Sequence, residues 1–163
     1  MSMNAFVAPV SGKASLRATH MMGCAIAALA FGSFAPSAFA ANECGLAVAG
    51  AVTCAPAGNP YAGGITYAAI ADINVAAPAG VVVATTLPAT NGITIAGTNA
   101  TTLSGAATVA TTGIGSNGVM VTSTGGPVAV SVGTVGTSGL NASGIVATTT
   151  LGAVTVNAGK TTV

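Results

Sequence analysis

Near its C-terminus, the chain places apolar residues at every second position. Val128, Val130 and Val132 alternate with small or polar residues, and residues 154–158 repeat the pattern as Val-Thr-Val-Asn-Ala. Val119–Val121 is a shorter example. A period of two is that of a strand with one buried face, and the β-branched residues that dominate here suit a pleated surface. The pattern predicts almost entirely β structure after residue 40.

This alternation is part of a longer internal repeat. Four glycines and two valines recur at one interval, for example Gly113 as Gly139 (139 − 113 = 26). The other pairs are Gly118 and Gly144, Gly126 and Gly152, Gly133 and Gly159, Val128 and Val154, and Val130 and Val156. A fainter third copy places Asn91-Gly92 one interval before Asn117-Gly118. A fixed period of this length is typical of a solenoid.

The repeat predicts parallel coils, each about 26 residues long, that stack into a β-helix. Equivalent residues would lie about 4.8 Å apart, so that valine packs on valine. The recurring glycines are predicted to be corners between short strands. A low-complexity tract with coincidental periodicity is the alternative. We therefore predict an all-β parallel solenoid over residues 86–163, truncated at its C-terminus.

The preceding segment, residues 41–85, is predicted to be a separate N-terminal region containing a cysteine loop and a stretch rich in Pro and Gly. Pro56, Pro60, Pro78 and the pair Gly63-Gly64 interrupt any strand pattern between Ala55 and Gly80. Proline cannot donate to a β-ladder, and glycine weakens a strand interior. This stretch is expected to be the loosest part of the chain.

Residues 1–40 have the pattern of a secretory signal peptide. Lys13 and Arg17 precede the apolar run Met21–Ala35, and Ala38-Phe39-Ala40 supplies a small-x-small cleavage site. A transmembrane anchor is the alternative, but the apolar run is shorter than the ~20 residues that a bilayer requires. The sequence predicts cleavage between Ala40 and Ala41. The protein would then leave through the Sec pathway for the cell surface, the outer membrane or the medium.

The three cysteines fall into two groups. Cys24 lies at the start of the apolar run, whereas a lipid-anchored cysteine should follow that run, so Cys24 is expected to be lost with the signal peptide. Cys44 and Cys54 form an even pair in an exported chain, which predicts a disulfide. A pair of metal-binding thiolates is the alternative, although no further Cys or His follows to complete a tetrahedral site.

Charged residues are nearly absent from the predicted mature chain. After residue 40 they are Glu43, Asp72 and Lys160, and the single histidine, His20, precedes them all. Catalysis and metal ligation need titratable groups held close together, and nucleic-acid binding needs a basic face. We therefore expect no enzymatic activity, no cofactor or metal, and no nucleic-acid partner.

Two stretches, Gly113–Gly133 and its second copy Gly139–Gly159, resemble the passenger repeats of Gram-negative autotransporter proteins. The long leader ending in Ala-Phe-Ala is similar to theirs as well. The resemblance covers the leader and roughly residues 90–163. It implies a right-handed parallel β-helix that is carried through the outer membrane by a C-terminal β-barrel translocator. That barrel would be a partner, because these residues do not contain it, and a passenger fragment or truncated gene is expected.

Two hypotheses for function follow. The first is a structural or adhesive passenger, whose rigid coils present polar ridges to a host cell or a neighbouring cell. The second is a structural module without a specific ligand, which self-associates because neither charge nor proline blocks its terminal coil. Ice binding by rows of threonine, suggested by Thr122-Ser123-Thr124 and Thr148–Thr150, is a remote third hypothesis, since the rows are irregular.

Overall fold

The computed structural model describes residues 42–163, which form a stack of parallel coils built from short strands. In chain order the strands are β1 (Ala51–Thr53), β2 (Ile65–Ile70), β3 (Ile73–Ala77), β4 (Val82–Thr85), β5 (Ile93–Gly97), β6 (Thr101–Gly105), β7 (Thr108–Thr111), β8 (Val119–Ser123), β9 (Val128–Thr137), β10 (Ile145–Thr149) and β11 (Val154–Thr162). A 3-10 turn at Pro56–Gly58 joins β1 to β2. The described residues contain no α-helix.

The strands stack on three faces. Face A consists of β2, β5, β8 and β10, each hydrogen-bonded in parallel to the next. Face B consists of β1, β3, β6 and the first halves of β9 and β11, and face C consists of β4, β7 and the second halves of β9 and β11. The two longest strands thus pass from one face to the next, which joins faces B and C into one sheet of seven strands.

The register between coils confirms the predicted solenoid. Ile145 pairs with Val119 and Val119 with Ile93, at separations of 145 − 119 = 26 and 119 − 93 = 26. Parallel coils of about 26 residues make up about four turns. The first full coil is longer, since Ile93 pairs with Ile65 and 93 − 65 is 28.

The two extra residues of that coil lie in one corner. On face C, Val82 pairs with Thr108 at the usual separation, 108 − 82 = 26. On face B, Ile73 pairs with Thr101, at 101 − 73 = 28. The lengthening therefore falls between β3 and β4, around Pro78.

The coils extend further toward the N-terminus than the predicted start of the repeats at residue 86. Strands β2, β3 and β4 all pair with the next coil, although they lie within the predicted segment 41–85. The expectation that Pro and Gly interrupt any strand pattern between Ala55 and Gly80 is wrong, because β2 and β3 form there and the prolines fall between strands. Ile65 and Ile73 are both buried.

The interior of the coils is filled by columns of apolar side chains. On face B one column runs Val52, Val75, Leu103, Val130 and Val156, each paired in register with the next. All but the last are buried. A fully buried side chain of this kind contributes roughly 1.5–3 kcal/mol. Stacking like on like explains why small β-branched residues suffice for a narrow core.

The recurring glycines lie mostly at corners, as predicted. Three of the four glycine pairs fall between strands, whereas Gly133 and Gly159 lie inside β9 and β11 where these strands pass from face B to face C. A Cβ added to Gly133 would lie 2.6 Å from the carbonyl oxygen of Ala106 in the preceding coil. A glycine at such a position therefore allows the backbones of adjacent coils to lie close together.

We expect Gly113→Ala to destabilise the stack by about 1–3 kcal/mol or more, as overpacking typically does. The new Cβ would overlap the backbone carbonyl of Leu87 in the preceding coil, and a backbone group cannot swing aside. The matched control is Gly136→Ala, since a Cβ there meets no atom within 4 Å and surface changes usually stay within about 0.5 kcal/mol. Urea unfolding followed by circular dichroism would measure both, and equal midpoints would contradict the expectation.

Candidate functional surface

The N-terminal end of the stack is closed by residues 42–61, here called the N-terminal cap. Within it Cys44 and Cys54 are joined by a disulfide, with their Cα atoms 4.6 Å apart. Cys54 is buried against the first coil. The predicted cleavage site between Ala40 and Ala41 lies outside the described residues.

The N-terminal cap covers the first coil on all three faces. On face A, the Asn42 N–H donates to the Thr66 carbonyl (3.1 Å), and the Thr66 N–H donates to the Glu43 carboxylate (2.8 Å). On face B, β1 pairs with β3. On face C, the Tyr61 N–H donates to the Val82 carbonyl (3.0 Å). The N-terminal cap therefore engages backbone groups of Thr66, Val82 and β3 within the chain.

Tyr67 connects the N-terminal cap to the core. Its ring is buried inside the first coil, and its hydroxyl donates to the Gly45 carbonyl (2.7 Å) and accepts the Cys44 N–H (3.2 Å). Burial raises the pKa of this phenol above its ordinary value of about 10, because the charged form would lose its hydration.

This raised pKa predicts alkaline destabilisation. The folded state holds the Tyr67 proton more tightly than the unfolded state, so the stability contributed by the neutral phenol is complete below about pH 10. It is lost as the pH rises through the raised pKa of the folded state. We expect the urea midpoint to fall above pH 10 in the wild type and to fall less in Tyr67→Phe, which cannot ionise. Parallel curves for the two proteins would contradict this.

One corner of the coils carries a ladder of side-chain amides. The side-chain oxygen of Asn91 accepts the Asn117 N–H (2.8 Å), and that of Asn117 accepts the Ser143 N–H (2.9 Å). Each donor lies 26 residues beyond its acceptor. The repeat of Asn-Gly at this interval is visible in the sequence, but sequence analysis did not recognise it as a hydrogen-bonded ladder.

Buried threonines close the same corner, between faces C and A, in two coils and fail to do so in the third. The hydroxyls of Thr85 and Thr111 donate to the carbonyls of Thr90 and Ser116, at 2.9 and 3.0 Å. The equivalent hydroxyl of Thr137 is buried and has no hydrogen-bond partner among residues 42–163. The corner pattern thus weakens toward the C-terminal end.

The outer faces present small polar side chains. Thr98, Thr124 and Thr150 form an exposed column at the end of face A, and the Thr124 and Thr150 hydroxyls each donate to the threonine carbonyl one coil earlier. Thr122 and Thr148, which pair in register, extend this surface along β8 and β10. Threonine occupies both positions only in these two coils, because the first coil to carry the column has Ala96 in place of Thr122.

Chemically reactive groups are dispersed over the described residues. Glu43 lies in the N-terminal cap, Asp72 accepts the Ala100 N–H (3.3 Å) beyond β2, and Lys160 lies in β11. Within residues 42–163 no three His, Cys, Asp or Glu side chains are grouped so as to hold a metal ion. The same residues include no helix long and apolar enough to cross a membrane.

Two shallow depressions lie on the outer surface. One, of about 180 Å³, is lined by residues that include Thr66, Asn91 and Thr94, and the other, of about 290 Å³, by residues that include Thr112, Ser138 and Thr162. Ligand pockets usually enclose about 300–1,000 Å³ and contain convergent polar groups. Neither depression has the form of a small-molecule site.

The last coil among the described residues is covered by the chain on one side only. Residues 145–163, here called the C-terminal coil, contain β10 and β11, which are paired on one side only among the described residues. Val154 and Val156 continue the interior columns, yet they are 45 % and 47 % exposed because no coil covers them. Among residues 42–163, the apolar interior is thus buried at the N-terminal cap and partly exposed at the C-terminal coil.

No family model matches the sequence, no curated protein matches it significantly, and no solved structure matches its coils significantly.

Proposed function

We propose that the protein is an exported structural or adhesive module, similar in kind to an autotransporter passenger. The observation that carries the proposal is the continuous stack of coils whose outer faces bear uncharged Thr, Ser and Asn side chains. Such a stack is rigid along its axis and presents the same side-chain spacing from coil to coil. These properties suit a spacer that displays a polar surface to another cell.

The chemistry of the outer faces favours binding of a partner along a flat face rather than in a deep pocket. Hydroxyl and amide groups both donate and accept hydrogen bonds without a net charge, and they match sugar or peptide surfaces equally well. The sparse charges Glu43, Asp72 and Lys160 would steer no charged partner. Contact along a face thus depends on which outward side chains it presents.

This proposal is tested by binding of the exported chain to cultured cells and immobilised matrix proteins. Three triple alanine variants each remove three outward hydroxyls from one face; they replace Thr94, Thr122 and Thr148 on face A, Thr102, Ser131 and Thr155 on face B, and Thr108, Thr134 and Thr162 on face C. We expect one variant to bind at least about tenfold more weakly, while the other two act as its matched controls. Wild-type protein that binds no cell or matrix surface would contradict an adhesive role.

Self-association is a second candidate function, favoured by the C-terminal coil. Its inward-facing Val154 and Val156 are about half exposed, whereas their partners Val128 and Val130 in the preceding coil are buried. An edge strand with free backbone groups is a template for pairing with another chain. Burying this end would remove apolar surface from water and would satisfy those groups.

A further inference from the structure

The corner at which the chain enters face A repeats the dipeptide Asn-Gly. Asn91-Gly92 and Asn117-Gly118 lie directly before β5 and β8, one coil apart. In the following coil the same position is Ser143-Gly144. Asn-Gly is the dipeptide most prone to spontaneous deamidation in a flexible chain, because glycine has no side chain to shield its backbone nitrogen. Two coils therefore carry a reactive pair that the third one lacks.

Packing between coils accounts for both residues of the dipeptide. A Cβ on Gly92 would lie 2.6 Å from the Gly118 carbonyl oxygen, and a Cβ on Gly118 would lie 2.6 Å from the Gly144 carbonyl oxygen. The close approach of the coils therefore requires glycine here. The side-chain oxygens of Asn91 and Asn117 each accept a backbone N–H of the next coil. The reactive dipeptide thus results from two separate structural requirements of the stack.

Deamidation of Asn117 would proceed through a cyclic intermediate. The Gly118 backbone nitrogen bonds to the Asn117 side-chain carbon Cγ, and the side-chain nitrogen leaves as ammonia together with the proton of the Gly118 N–H. Water then adds to one of the two carbonyl carbons of the resulting succinimide and breaks the bond of that carbon to nitrogen. The product is aspartate or isoaspartate. In isoaspartate the main chain runs through Cγ and is one carbon longer.

The folded stack withholds the nucleophile of this reaction. The Gly118 N–H donates to the Ser143 carbonyl (2.9 Å), and the Gly92 N–H donates to the Asn117 carbonyl (2.9 Å). Both glycines are buried, so loss of either proton requires the hydrogen bond to break and adjacent coils to separate. The Asn117 side chain is held as well, since its oxygen accepts the Ser143 N–H (2.9 Å). Deamidation is thus confined to chains in which these coils are open.

A chain with isoaspartate at this corner no longer matches the next coil. The additional main-chain carbon would lie between Asn117 and Val119, and Val119 pairs with Ile93 on one side and Ile145 on the other. Val119 is buried between them. The longer segment displaces β8 along its two partners, and register decides which side chains of a strand face inward.

We propose that Asn91 and Asn117 are conditional modification sites, silent in the folded stack and converted to isoaspartate in chains whose coils have opened. The conversion removes such chains permanently from the folded population, because the modified corner cannot restore its register. The ladder of side-chain amides therefore protects the covalent structure of the chain in addition to joining its coils.

Peptide mass spectrometry in water enriched in heavy oxygen tests the protection, since each succinimide that opens takes up one oxygen atom from water. The exported chain is incubated at one pH, with and without urea above its unfolding midpoint. We expect isoaspartate at Asn91 and Asn117 to form at least about tenfold more slowly without urea. Asn99, which is exposed and precedes alanine, is the internal control and should react slowly in both samples. Equal rates in the two samples at Asn91 and Asn117 would overturn the protection.

Hydrogen exchange tests the cause of the protection. Exchange of the Gly92 and Gly118 N–H groups requires the same opening of the ladder as deamidation does, so folding should slow both processes by factors that agree within about tenfold. Strong protection from exchange without protection from deamidation would show that the native corner itself reacts, and it would overturn the proposal.

The double variant Asn91→Ser with Asn117→Ser tests the consequence for folding, because it gives both coils the Ser-Gly pair already present at 143–144. Wild type and variant are aged in urea and diluted, and circular dichroism measures the refolded fraction relative to fresh samples of each protein. We expect this fraction to fall in step with isoaspartate content in the wild type and to stay constant in the variant. Isoaspartate-containing wild type that refolds to the fresh urea midpoint would overturn the block to refolding.

Discussion

Replacing Val130 with aspartate is expected to abolish folding of the central coils. Val130 is 2 % exposed and stacks between Leu103 and Val156 in the face B column. An unpaired carboxylate there would lose its hydration without gaining a partner. The folded state must therefore either bury the charge or protonate the carboxyl group, and both cost free energy. Domains are stable by only about 5–15 kcal/mol. A penalty of about 4 kcal/mol or more removes most or all of the stability at the lower end of this range, and we expect the adjacent coils to unfold.

The matched control for Val130→Asp is the same substitution at the neighbouring residue. Ala129 lies on the same strand and is exposed, so Ala129→Asp should change the free energy of unfolding by only about 0.5 kcal/mol. Far-ultraviolet circular dichroism and urea unfolding would compare the two. Equal effects at the inward and the outward position would contradict the alternation of buried and exposed residues on which the solenoid depends.

Sequence analysis gives Val130 and Val156 the same environment, because they occupy one repeat position. The structure separates them, since Val156 lies in the C-terminal coil and is 47 % exposed. An aspartate at Val156 keeps much of its hydration, and we expect a smaller loss of stability there than at Val130. Thr155→Asp, on the exposed side of the same strand, should be tolerated.

Removing the Cys44–Cys54 disulfide is expected to have the second largest effect. In a double Cys→Ala variant, the unfolded chain regains the entropy that the short loop had lost, which is worth about 2–3 kcal/mol. The loss extends beyond entropy because the disulfide fixes the N-terminal cap, whose residues 42–44 hold the face A edge and the Tyr67 hydroxyl. Loosening them would open that edge.

Urea unfolding with and without reductant would measure this effect. Reduced wild type should match the oxidised double variant, and the double variant itself should not respond to the reductant. A wild-type midpoint that is unchanged by full reduction, with free thiols verified by mass, would show that the N-terminal cap holds without its cross-link.

The sequence predicts the C-terminal coils well because their repeats are exact in length. Coils that begin at Ile93, Val119 and Ile145 share one separation, so comparison of the sequence with itself reveals them. The coil that begins at Ile65 is two residues longer, and a comparison at fixed interval loses its register. Without that register, a proline such as Pro78 is interpreted as interrupting a strand, although it lies in a corner between two strands.

The N-terminal cap follows no repeat, and for that reason only its cysteine pair was predicted from the sequence. Tyr67 occupies an inward position equivalent to Ile95, but nothing in the sequence indicates that its hydroxyl reaches back to Cys44 and Gly45. The Glu43 carboxylate likewise accepts the Thr66 N–H, a bond that a neighbouring strand would otherwise supply. Such contacts are single events of tertiary structure, and composition and periodicity do not record them.

The corner between β3 and β4 is two residues longer than its equivalent in the next coil, yet the strands on either side of it keep their register. Two additional residues are accommodated there, while Ile73 and Val82 on either side keep their partners in the next coil. Peptide loops of foreign sequence could accordingly be grafted at Ala79, which is exposed, without shifting any strand. A stack of this design can diversify what it shows to the outside while its interior stays constant.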